Sequence, residues 1–222
     1  MAQIIGFVNQ KGGVGKTTST INVARYLAEF GKRVLLVDLD PQGNASSGLG
    51  IQKDGIEKNL YHAMIMGVPP QEIIYATDTE NLHIIPAAQD LAGAEIEMIH
   101  LDGREFRLHN VLRVLRPHYD YILIDSPPSL GLLTINGLVA SDGVIIPVQT
   151  EYYALEGLSQ LLGTIELVRE RLQPNLQIFG ALLTLYDRRN RLARQVVNEV
   201  RAHFPGPVFE NVIPRSVRLA EA

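Results

Sequence analysis

Cysteine is absent from all 222 residues, which removes disulfides, thiolate catalysis, cysteine-ligated zinc and iron–sulfur clusters together. That absence also fits a reducing cytoplasm. Long apolar runs are missing. The longest stretch without Asp, Glu, Lys or Arg, Ser126 to Ser141, has 16 residues and includes Pro, Ser, Asn and Gly, too short and too polar to span a bilayer. The opening MAQIIGFVNQ has no basic region, so a secretory leader is not expected. Excess positive charge is lacking too, the net charge being −4. The histidines His62, His83, His100, His109, His118 and His203 have no metal-ligand spacing. Internal repeats, low-complexity tracts and linkers are not evident, so residues 1–222 read as one domain.

What is present is ordinary globular composition, 46% hydrophobic and 20% charged, which excludes disorder and collagen-like repeats. A chain this long buries roughly 70% of its unfolded surface. Apolar runs alternate with helical patterns. Gln3–Val8, Arg33–Asp38, Leu82–Pro86, Tyr119–Asp125, Gly143–Val148, Ile178–Leu185 and Val208–Ile213 read as strands, and RVLLVD is apolar on both faces, as a central parallel strand requires. Helical spacing predicts helices over Lys16–Phe30, 88–99, 104–116, 130–140, 153–172 and 190–203, with Gly31 placed to end the first. Short helices are expected around 58–66 and 70–76. The alternation predicts an α/β fold: a doubly wound, mostly parallel sheet flanked by helices.

The strongest motif is Asn9-Gln-Lys-Gly-Gly-Val-Gly-Lys-Thr-Thr18, between the first strand and the first helix. Glycines there let consecutive amides wrap a phosphate, and the helix N-terminus adds a favourable dipole. Gly12, Gly13, Val14, Gly15, Lys16, Thr17 and Thr18 are therefore candidates for binding a nucleotide such as ATP or ADP. Lys16 is placed for the β- and γ-phosphates and Thr17 for Mg²⁺. The loop departs from the usual pattern: Gln10 stands where the first glycine is expected, and an extra lysine, Lys11, opens the loop.

Three carboxylates end strands. Asp38 and Asp40 lie in VDLDPQGN and Asp125 in YILIDSPPS. Acids at the C-terminal ends of parallel strands face the ligand crevice of an open α/β sheet. Asp125 reads as a carboxylate holding Mg²⁺ through water, and Asp40 as the group orienting the attacking water. Asp38 either supports the metal shell or caps a loop.

The form KGGVGKTT resembles the deviant phosphate loop of the ParA/MinD ATPases. LLVDLDPQGNASSGLG, DYILIDSPPSLGLLTINGL, VIIPVQTEYYALEGLSQLL and VIPRSVRLAEA extend the resemblance over nearly the whole chain, to the chromosomal ParA (Soj) branch rather than to MinD. The resemblance implies an ATP-driven homodimer that binds double-stranded DNA without sequence preference. It also implies a ParB-type centromere-binding partner that stimulates slow Mg²⁺-dependent hydrolysis. Localisation would be cytoplasmic and nucleoid-associated, with no membrane partner. Lys11 would reach the partner's nucleotide, Gly12 would lie at the closing dimer face, Asp40 would be the hydrolysis aspartate, and Pro214 and Ser216 would flank base and ribose. Arg189 and Arg218 match basic positions used for DNA.

Charge distribution agrees. From Tyr186 onward there are seven Arg and four acids, whereas the rest of the chain carries 13 basic and 20 acidic residues. Arg188, Arg189, Arg191 and Arg194 crowd one helix start, as a DNA-binding surface or a solvated helix face. No aromatics interleave them, which disfavours base stacking. Tyr152, Tyr153 and Glu156 belong either to an interface or to helix packing. The competing functions are a MinD-like membrane-associated ATPase, an ATP-dependent metabolic enzyme of the same superfamily, and a nucleotide-gated scaffold with negligible hydrolysis. The family's chains continue past LAEA into a further loop and helix, an element expected beyond residue 222.

Overall fold

The computed structural model describes residues 1–151 and 154–216, and within them not the side chains of residues 53 and 154–156. Seven strands form one sheet: β1 (Gln3–Phe7), β2 (Val34–Asp38), β3 (Tyr75–Ala76), β4 (Leu82–Ile85), β5 (Tyr121–Asp125), β6 (Gly143–Gln149) and β7 (Gln177–Thr184). Their order is β3-β4-β2-β5-β1-β6-β7, parallel throughout except for the short edge pair β3–β4. The doubly wound, mostly parallel sheet expected from the alternation is present. β2 is buried at every residue, which explains why its sequence shows no polar face.

Helices α1 (Lys16–Glu29), α2 (Asn44–Gly48), α3 (Leu60–Met64), α4 (Leu91–Glu97), α5 (Arg107–Leu115), α6 (Leu132–Ala140), α7 (Ala154–Arg171) and α8 (Arg191–His203) flank the sheet. α1 buries Thr20, Ala24 and Ala28, small side chains one turn apart that let its backbone lie close on the sheet. Gly31 follows it at φ 76°, a left-handed turn open to glycine. α5 buries Leu108, Val111, Leu112 and Leu115, the i, i+3, i+4, i+7 stripe of an amphipathic helix. Each such leucine contributes about 1.5–3 kcal/mol by leaving water. On α8, Ala193, Val196, Val197 and Val200 do the same against the β6–β7 side.

Three expectations are corrected. Val208–Ile213 forms no regular strand. It runs beside β7 through isolated parallel bridges, Ala181 with Val208 and Tyr186 with Pro214. Around these bridges the Phe209 amide donates to the Ala181 carbonyl (3.0 Å) and the Ile213 amide to the Leu183 carbonyl (2.8 Å), with residues 210–212 interrupting the ladder. The helix expected over 70–76 is a 3₁₀ turn, Pro70–Ile73, followed by β3. The helix α2 was not expected, because NASSG carries no apolar periodicity.

The sheet register places the site. In the β2–β5 pairing Asp38 lies opposite Asp125, and in the β1–β5 pairing Asp125 lies opposite Phe7, immediately before the glycine-rich loop. Parallel strands ending in register thus gather two carboxylates and a phosphate loop at one edge of the sheet.

Candidate nucleotide-binding site

The loop is held open by backbone geometry and by neighbouring strands. Gly13 and Gly15 have φ of 71° and 83°, which side-chain-bearing residues rarely adopt. Asn9 ties the loop's start to β6 by donating from Nδ2 to the Pro147 carbonyl (2.7 Å), while its Oδ1 accepts from the Lys11 amide (3.0 Å). The Thr184 hydroxyl, at the end of β7, donates to the Val14 carbonyl (2.8 Å). Gln10, in place of the usual glycine, donates to the Gly157 carbonyl (3.1 Å) and to Gln160 Oε1 (2.9 Å), tying the loop to α7. Gly15 caps α1 without any side-chain cap, and no acid occupies the first turn, so the positive end of the helix faces the loop.

Lys16 is buried, and its ammonium donates to the Lys11 carbonyl (3.0 Å). Burial pulls its pKa below the ordinary lysine value, and the facing Asp125 and Asp40 draw it back up. A lysine folded onto a loop carbonyl is already aimed into the cradle an anion would fill.

Asp125 is fully buried. Its Oδ1 accepts from Thr20 Oγ1 (3.2 Å), and its Oδ2 has no hydrogen-bond partner among the described residues. Burial, then repulsion from Asp38, pushes its carboxyl up to about 7, and the Thr17 and Thr20 hydroxyls with Lys16 pull the other way. A buried carboxylate oxygen without a donor costs stability unless a cation or its water shell satisfies it. The donor set, hydroxyl and carboxylate oxygens with a lysine close by, is that of a hard divalent cation such as Mg²⁺ beside phosphates.

Asp38 lies differently. Its Oδ2 accepts from the Ser46 hydroxyl (2.7 Å) and the Ser46 amide (2.8 Å), and its Oδ1 accepts from the Asp40 amide (3.2 Å). Burial raises it to about 6 despite these donors. With both oxygens engaged, Asp38 braces the loop rather than presenting itself to a metal. Asp40 is buried except for a small face, and its Oδ1 accepts from the Gln42 amide (3.0 Å).

The expected residues from Gly12 to Thr18, Asp38, Asp40 and Asp125 therefore converge. Gly12 is exposed, and a Cβ there would meet only Pro128 Cβ at 3.9 Å. Lys11 is half-exposed, with Nζ 3.9 Å from Glu151 Oε2. Glu151 also accepts from Arg215 (3.2 Å), and the Arg215 amide donates to the Tyr186 carbonyl (3.0 Å), so Pro214 and Ser216 belong to a segment joined to the loop's mouth. Arg188, Arg189, Arg191 and Arg194 are exposed on the turn after β7 and the first turn of α8. Asp187 organises this turn: its Oδ1 accepts from the Arg189 amide (2.9 Å), and its two oxygens hold the Arg189 guanidinium at 3.2 and 3.1 Å. Arg218, Tyr152, Tyr153 and the Glu156 side chain lie outside the described residues. Three participants were not anticipated: Thr184, Thr20 and Ser46. Thr17 and Thr20, three apart in the first helix, were visible, but the partner of Thr20, Asp125, is remote in sequence. No helix among the described residues is long and apolar enough to cross a membrane.

This sheet, with an uncapped glycine-rich turn entering α1 and acids ending the adjacent strands, defines a P-loop nucleoside triphosphatase. The AAA domain family profile matches residues 2–178. The sporulation initiation inhibitor protein Soj of Bacillus subtilis is 56% identical over 222 residues, covering all of this chain and 88% of that protein. The chromosome partitioning protein ParA of Myxococcus xanthus is 55% identical over 221 residues, covering all of this chain and 78% of that protein. The crystal structure of cobyrinic acid a,c-diamide synthase from Mycobacterium smegmatis, with bound ADP and magnesium, superposes with a TM-score of 0.93 at 41% identity, covering 97% of this chain and 88% of that one. The chain belongs to the ParA/Soj family of chromosome-partitioning ATPases.

Proposed function

We propose that this chain is a single-domain, Mg²⁺-dependent ATPase that dimerises on ATP and binds DNA without sequence preference in that state. A ParB-type partner would accelerate slow hydrolysis during chromosome or plasmid segregation. The observation that carries the proposal is the convergence of Lys16, the uncapped start of α1, and the unpartnered Asp125 Oδ2 at one edge of the sheet. Relatives named for chromosome partitioning support the segregation role.

The loop amides and Lys16 bind the phosphates, Lys16 exchanging its hydrogen bond with the Lys11 carbonyl for one with phosphate. Thr17 and, through water, Asp125 would hold Mg²⁺, which would supply positive charge to the phosphate oxygens. Asp40, fixed by the Gln42 amide, orients the attacking water. Asp40 is a carboxylate rather than a strong general base, so turnover is slow until a partner orders the site. Lys11 crosses to the second protomer's phosphates and supplies a fixed cation there. Pro214 and Ser216 flank the base.

Arg188, Arg189 and Arg191, with Arg218, form the DNA surface. Arg188 and Arg191, exposed at the start of α8, oppose the helix dipole and favour an external anion, whereas Arg189 would exchange its pairing with Asp187 for a phosphate. Dimerisation doubles this patch on one rigid body, making binding dependent on ATP.

The Asp40→Ala variant tests the hydrolysis assignment: it retains ATP binding, loses hydrolysis, and accumulates as dimer in light scattering. Wild-type hydrolysis by that variant contradicts the assignment. The likeness to a protein named as a diamide synthase favours a second function, ATP-dependent amide formation. ATP turnover that requires a carboxylate-bearing small molecule, rather than DNA and a ParB-type protein, would support it.

A further inference from the structure

Ser46 is fully buried on α2 and has been given no role in binding substrate or metal above. A buried hydroxyl must find partners, and this one has two. It donates to Asp38 Oδ2 at 2.7 Å and accepts from the Ala87 amide at 3.2 Å. The Ser46 amide donates to the same Asp38 oxygen at 2.8 Å. Asp38 passes this order on: its other oxygen accepts from the Asp40 amide at 3.2 Å. Asp40 is then oriented by the Gln42 amide on Oδ1, while its Oδ2 takes no hydrogen bond among the described residues. A chain of hydrogen bonds thus runs from the segment after β4, through Ser46 and Asp38, to the backbone of Asp40.

We propose that Ser46 is a positioning residue for hydrolysis, holding Asp38 so that Asp38 in turn fixes the backbone from which Asp40 presents its carboxylate to water. The proposal rests on the assignment of Asp40 above. Two physical points support it. Asp38 and Asp125 stand in register on adjacent strands, so an Asp38 free to rotate would move toward a second buried carboxylate. The two donors from Ser46 keep Asp38 turned toward α2 and leave Asp125 Oδ2 to the loop side. Displacements of about 1 Å at a water-orienting group cost up to about 100-fold in rate without altering phosphate contacts.

The test uses the whole protein in steady-state Mg²⁺-ATP hydrolysis, with a fluorescent ATP analogue for affinity and thermal unfolding for integrity. Ser46→Ala is expected to lower kcat by about tenfold or more while KM and analogue affinity stay within about twofold. Ser46→Thr, which keeps the hydroxyl, recovers most of the lost kcat. Wild-type kcat in Ser46→Ala, alongside an inactive Asp40→Ala, overturns the proposal and leaves Asp40 in place. A Ser46→Ala variant that loses analogue affinity and thermal stability in step with kcat overturns it as well, since that is a purely structural serine. An equal loss of kcat in Ser46→Thr denies the hydroxyl its role. Normal hydrolysis by Asp40→Ala instead removes the assignment beneath the proposal.

Discussion

Replacing Asp125 with Asn is expected to remove most of the loss of stability that the nucleotide-free protein shows as pH rises. Burial and the neighbouring Asp38 raise the Asp125 carboxyl from 3.8 to about 7. A group whose folded pKa lies above its unfolded value binds the proton more tightly when folded, so its contribution to stability falls as pH rises from the lower value to the higher. The shift of about three units corresponds to about 4 kcal/mol of destabilisation once the carboxylate is fully ionised. Between pH 5 and pH 8 roughly 3 kcal/mol of that appears. Asn carries no charge and removes this component of the slope. Its buried amide, short of an acceptor, adds a pH-independent cost of about 1–3 kcal/mol, which displaces the profile without tilting it. Asp38, raised to about 6, remains in the variant, and because the two wild-type carboxyls titrate as a pair, a shallower dependence persists. The assay is urea unfolding at pH 5 and pH 8 without nucleotide or metal. Wild type should lose about 3 kcal/mol more than Asp125→Asn across that interval. Mg²⁺ with ADP should flatten the wild-type profile by supplying the missing positive charge. Parallel profiles for the two proteins would refute the assignment of Asp125 as a strained, ionisable buried group.

Lys16→Ala removes the ammonium now bonded to the Lys11 carbonyl, and a charge-assisted bond to phosphate of about 1.5–3 kcal/mol predicts a loss of ATP affinity of about 10- to 100-fold by calorimetry. Unchanged affinity would remove Lys16 from the phosphate site. Gly12→Val should fold and melt close to wild type, since Gly12 does not need a positive φ and its Cβ direction is open to within 3.9 Å of Pro128. The same variant should remain monomeric with ATP in light scattering, and an ATP-dependent dimer would show that Gly12 is not at the closing face.

The fold was legible where hydrophobic periodicity reports directly on burial. β2, buried throughout, and α5, with its single apolar stripe, are visible in the letters because one environment acts along each whole element. Elements held by particular partners were not. α2 exists because Asp38 accepts from its amide and hydroxyl at Ser46, a contact eight residues distant with no periodic trace. The stretch from Val208 to Ile213 reads as β-rich, yet it meets the β7 side through isolated bridges, a difference in pairing that its letters do not carry. The glycines, Lys16 and the three aspartates, named from spacing as candidates for phosphate and metal, are brought together at the ends of β1, β2 and β5. Thr184 could not, since its hydroxyl meets the Val14 carbonyl across 170 residues. Asp38 illustrates the middle case: its position was evident, whereas its choice between metal and loop depended on Ser46. Leu185, at φ 53°, turns the chain from β7 toward the arginines, a strained conformation for a side-chain-bearing residue that no motif announces.

If ATP gates a DNA-binding dimer, as proposed, DNA binding measured with ATP against ADP across a salt series reveals it. The measurement uses the Asp40→Ala variant, which should hold ATP unhydrolysed, beside the same variant with Arg188, Arg189 and Arg191 changed to Ala. The account predicts tight, sequence-independent binding with ATP only, falling steeply with salt, with a shallower salt slope when the arginines are removed. Equal binding with ADP, or none with either nucleotide, would contradict it.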